Sequence, residues 1–177
     1  MTDVVRYHKL LRLIHWAMAL LLLSLLFAGL AMVQSLAAWQ LTLLGLHKSF
    51  GVLALLLVII RLTIRLNSET PALPSSIPPI QQRIARVSHV LLYAAMFAMP
   101  LSGYLMQNAA GRPVVVFELF ALPSLLPVSL PLYGLFRELH GLIAWGLIAL
   151  VLVHIAAALH HGLIKRDGVL QSMTGGK

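Results

Sequence analysis

Four stretches of this 177-residue chain are each apolar over about the 20 residues needed to cross the hydrocarbon of a bilayer. They cover about 13–33, 44–64, 87–106 and 139–163. The first, LIHWAMALLLLSLLFAGLAMV, is almost unbroken, and the second carries charge only towards its ends. The third contains Pro100, which removes a helical hydrogen bond and predicts a kink. Only 10% of the residues are charged, where a soluble domain carries about 25%. The expected fold is therefore all-α, an integral membrane four-helix bundle forming one domain over residues 1–177. The four spans and two loops use nearly the whole length, which leaves no room for a separate soluble catalytic domain.

The basic residues orient the bundle. Ten of the thirteen Lys and Arg fall in the N-terminal tail (Arg6, Lys9, Arg12), around the second connection (Arg61, Arg65, Arg83, Arg86) and in the C-terminal tail (Lys165, Arg166, Lys177). Only Lys48, Arg112 and Arg137 fall on the other side. Positive residues concentrate on the cytoplasmic side, so both termini are expected there. The formal charge of +8 is thus a topology signal and not a nucleic-acid patch. A cleaved leader is the rival for the first stretch, with Ser35-Leu36-Ala37 as its cleavage-like site. Its apolar run is longer than a usual leader core, and cleavage would discard His15. Between the second and third spans, NSETPALPSSIPPI reads as an extended loop. The outer connection, about 107–138, is apolar but broken by Pro123, Pro127 and Pro131; the expectation is a short amphipathic helix lying on the outer surface.

Five histidines, His15, His47, His89, His140 and His154, lie within or at the edges of these spans. Ionisable groups at membrane depth are costly and by default functional. His140 and His154 are fourteen residues apart, close to four helical turns, so they share one helix face about 21 Å apart along the axis. The topology gives depths: His15 and His154 near the cytoplasmic side, His47 and His140 near the outer side. Two imidazoles from facing helices can hold a haem iron axially. The plainer alternative is a set of buried histidines bonded to backbone, which four residues matched in depth make less economical. Zinc fits poorly, because two histidines per site fall short of its usual four ligands. The chain has no cysteine, which removes c-type haem attachment, Cys-ligated clusters and disulfides.

The segments RLIHW (12–16), GLHKSFG (45–51), RLTIRL (61–66), SHVLLYAAMFAMPLSGYLM (88–106), FRELHG (136–141) and LVHIAAALHHGLIKRDGVLQSM (152–173) together resemble the bacterial cytochrome b561 family, small di-haem membrane cytochromes. The resemblance implies two haem b groups, one on His15 and His154 and one on His47 and His140. The family has superoxide-oxidising members in which a histidine late in the last helix approaches ubiquinone; His161, or else His160, matches it. The resemblance thus implies electron transfer from superoxide on the outer side to ubiquinone on the inner side. Lys48 and Arg137 flank the outer histidines and would steer a small anion, or else neutralise the acidic groups of a haem. His89 would hydrogen-bond such a group or backbone. A relay between the quinone pool and a protein partner, and a haem-free transporter, are the competing functions.

Overall fold

The fold comes from a computed structural model that describes residues 6–34, 37–69, 71, 74, 77 to 174 of the chain. Four long helices form as the hydropathy requires: α1 (Lys9–Gln34), α2 (Trp39–Leu66), α3 (Pro79–Ala109) and α4 (Leu130–Leu159). Each is long and apolar enough to cross a membrane. The first three overrun their apolar stretches at both ends and α4 begins nine residues before its own, because helix is the cheapest way to satisfy backbone groups near lipid. Pro100 lies inside α3, which continues on both sides of it. The cleavage-like Ser35 and Leu36, and part of the Pro- and Ser-rich second connection, lie outside the described residues.

The packing is a serial bundle. α1 lies on α2, α2 on α3, and α3 most extensively on α4. Among the described residues, α4 makes little close backbone contact with α1 or α2. The bundle is therefore open where α4 faces α1 and α2. Its well-packed centre is small: Ile14, Met18 and Val58, with Tyr93, Met96 and Phe97 against them. Large side chains such as Leu20, Phe27, Leu142 and Trp145 stay exposed on the outer faces, where lipid and not water is the solvent.

The outer connection corrects the expected surface helix. Val115–Val116 (β1) and Phe120–Ala121 (β2) pair antiparallel, with Val115 opposite Ala121. The three prolines forbid a continuous helix, and the run Val114-Val115-Val116 is β-branched and suits a strand. Phe117 and Glu118 form the turn with left-handed backbone, φ 47° and 61°. That strain is offset by docking. Ser49 of α2 accepts a hydrogen bond from the Phe117 amide at 2.9 Å, and Phe50 meets Phe117 edge-on at 5.3 Å. The helical part of the connection is the first turns of α4, whose Ser129 cap accepts from the Leu132 amide.

Both chain ends lie at one end of the bundle. The Tyr7 amide donates to the Ser172 carbonyl, and the Trp16 indole donates to the Met173 carbonyl, each at 3.2 Å. After α4 the chain widens into a π-helical turn, His160–Lys165, closed by the Arg166 amide on the His161 carbonyl at 2.7 Å. A short helix, α5 (Gln171–Thr174), follows. Gly162 permits the return: a Cβ there would run into the Leu170 side chain.

Candidate functional site

Two imidazole pairs bridge the open side of the bundle. His15 of α1 and His154 of α4 have ring centres 6.2 Å apart. His47 of α2 and His140 of α4 are 6.4 Å apart. Imidazole nitrogens bind metals at about 2 Å, so two rings on opposite sides of one metal have centres roughly 6 Å apart. Both separations fit that distance. Both pairs also join helices that make little close backbone contact with each other.

The pair toward the hairpin end lies in an apolar cavity lined by Leu26, Val52, Met99, Gly103 and Leu147 beside the two histidines. Two features prepare the rings. The Ser102 hydroxyl donates to the Met99 carbonyl at 2.9 Å, so its oxygen is left to accept from His140 Nδ1 at 3.0 Å. That arrangement puts the proton on Nδ1 and leaves Nε2 with a free lone pair, the form in which histidine binds a metal. Gly103 faces the same ring; a Cβ there would stand 3.0 Å from His140 Cε1. His47 Nδ1 is buried with no hydrogen-bond partner, a costly state for a polar atom unless a ligand relieves it. Donor set, cavity and glycine all fit a bis-imidazole macrocycle.

The pair toward the chain termini has a third neighbour. His89 of α3 lies 5.8 Å from His154, ring centre to ring centre. His154 therefore touches two imidazoles, one across the open α1–α4 side and one across the tightly packed α3–α4 side.

The remaining candidates separate. Lys48 lines the cavity with His47 and His140, and its ammonium donates to the Pro113 carbonyl at 3.3 Å. Arg137 does not join it: its side chain is 64% exposed and sits 3.6 Å from Glu138. At the other end His160 is exposed, while His161 turns inward and its Nδ1 meets Asp167 Oδ2 at 2.5 Å. Sequence reasoning missed this pairing. The six-residue spacing between the two is not helical, and it closes only because the last turn is π. It also missed Ser102, whose role depends on which face of α3 meets α4.

A family model described as prokaryotic cytochrome b561 matches residues 6–176. "Cytochrome b561 homolog 2" of Escherichia coli K12 is 33% identical over 172 residues, covering 96% of this chain and 92% of that protein. "Cytochrome b561 homolog 1" of the same organism is 27% identical over 129 residues, 72% of each chain. "Probable superoxide oxidase CybB" of Yersinia pestis is 27% identical over 129 residues, covering 72% of this chain and 73% of that one.

Proposed function

The chain belongs to the prokaryotic cytochrome b561 family, and from that premise we propose that it carries electrons across a bacterial inner membrane between superoxide and ubiquinone. Family membership makes it a multi-pass, haem b-binding electron-transfer protein. The finer reading rests on one observation above all: two imidazole pairs, each near 6 Å, at opposite ends of one open bundle.

In this reading His47 and His140 hold the outer haem, and His15 and His154 hold the inner one. Haem b, when bound there, would supply one-electron redox chemistry, with the paired histidines as its ligands. The choice of His15 over His89 follows from packing. α3 lies extensively on α4, whereas α1 makes little close backbone contact with it, which supports the α1–α4 side as the one that takes the macrocycle. Each superoxide gives up one electron and leaves as O2. Two such electrons and two protons convert ubiquinone to ubiquinol.

Lys48 is the chain's cation at the outer cavity and would draw in the superoxide anion. Arg137, drawn to Glu138, contributes less. At the inner end His161 would hand a proton to the quinone, its ring held by Asp167. Both termini then face the cytoplasm, a reading that the ten-to-three distribution of Lys and Arg supports. Rapid mixing of the oxidised purified protein with superoxide tests the reading. Fast haem reduction that dismutase suppresses is the expected result; haems that stay oxidised would exclude superoxide as donor.

A relay to a protein partner is the second reading. It is favoured by the names: the relative matched over nearly the whole chain is called only a cytochrome b561 homolog, and the superoxide oxidase name belongs to a 27% relative. Co-purification of a redox partner, with no activity alone, is its signature.

A further inference from the structure

Two arginines lie inside the bundle at the depth of the His15–His154 pair. Arg61 and Arg65 are one turn apart on α2, and both are half-buried. Arg61 donates to the Leu11 carbonyl at 2.6 Å, one turn before His15. Its charge bears on His15, His89 and His154 alike, and that of Arg65 on His89. Arg65 stands over the Tyr93 ring, 5.5 Å from its centre. The Tyr93 hydroxyl is buried, and Arg61 is the side chain that reaches it.

The cluster has donors and no acid. Among the described residues the ion pairs are Arg137–Glu138 and His161–Asp167, both elsewhere in the molecule. The chain has only five acidic residues in all. Two half-buried positive charges on one helix are expensive unless an anion compensates them. Arginine forks match carboxylates in bidentate geometry. A flat ligand held by His15 and His154 brings two carboxylates of its own.

We propose that Arg61, Arg65 and Tyr93 form the anion site for the two propionates of the inner haem. The proposal rests on the assignment of that haem to His15 and His154. It gives the inner haem an anchor made from α2, a helix that supplies it no ligand, and it makes the resting charge of the site part of its redox poise. A cation beside the propionates favours the reduced, less positive iron.

The test is a spectroscopic redox titration of purified protein, which first shows whether two haem components exist; one component or none would overturn the two-haem reading itself. R61Q, R65Q and R61K are then compared in the H140A background, which isolates the inner haem. The expected result for R61Q is a lower inner-haem potential, at least a tenfold change in the redox equilibrium, or 59 mV for one electron. R65Q shifts in the same direction, and R61K recovers most of the loss. Full haem content with an unmoved potential in both Gln variants would overturn the proposal. So would an unmoved potential combined with loss of tightly bound anionic phospholipid, which would assign the arginines to a headgroup phosphate. A failure of R61Q to fold leaves R65Q and R61K to decide the outcome.

Discussion

Removing one oxygen beside His140 should loosen the outer haem without touching a ligand. The Ser102 hydroxyl spends its only proton on the Met99 carbonyl and accepts from His140 Nδ1 at 3.0 Å. Ser102 is 5% exposed, so water cannot readily replace it. In S102A the Nδ1 proton loses its hydroxyl acceptor and keeps only the Met99 carbonyl nearby, at a cost of up to about 1–3 kcal/mol. That penalty falls on the metal-binding form of the ring, so haem retention at this site should weaken by roughly 5- to 150-fold. Mutations of such supporting partners typically cost about 10- to 100-fold in metal affinity, which is the same range. The ligand also becomes less basic, so the outer haem's potential should rise. The assay is haem per protein and reduced-minus-oxidised spectra at increasing detergent dilution, in wild type and S102A. An S102A protein that keeps both haems through dilution with unchanged potentials would refute both the tautomer assignment and the supporting role of Ser102.

Other substitutions test neighbouring steps. G103V should abolish the outer haem and leave the inner one, because even a Cβ there comes within 3.0 Å of the His140 ring; a halved haem content is the readout. H47A should give the same spectrum as H140A, and H15A the same as H154A, with the outer haem still reducible in the second pair; an H47A protein with both haems intact would break the pairing. D167N should slow ubiquinol formation while haem reduction keeps its rate, since Asp167 meets only His161 and backbone; equal loss in both steps would argue for a structural role alone. G162A should free the C-terminal return, whose Leu170 occupies the space of the new methyl, at about 1–3 kcal/mol; faster proteolysis after residue 165, with haem content unchanged, is the measurement.

The four spans and the histidine pairing could be read from the residues because both obey one-dimensional rules. Length and hydropathy fix a membrane helix, and alternating chain direction then fixes the depth of each histidine along it. His140 and His154 needed only the helical repeat. The outer hairpin was legible only in part: the prolines ruled out a span, but the strand at Val115–Val116 depends on Ser49 and Phe50 of a helix more than 60 residues earlier. Those contacts have no local signature.

What the linear order could not supply was lateral arrangement. Depth places His15, His89 and His154 together, but it does not say that α3 packs against α4 while α1 stands away from it. That difference is what favours His15 over His89 as the partner of His154 in the proposed assignment. The support of His140 by Ser102 and Gly103, the His161–Asp167 contact across a π turn, and the gathering of Arg61 and Arg65 around Tyr93 are likewise matters of which faces meet. In a bilayer every span is apolar on nearly all sides, so hydrophobic periodicity, which orients helices in water, carries little information here. The sequence specifies which residues cross the membrane and how deep each sits; the packing of α4 specifies which of them can share a ligand.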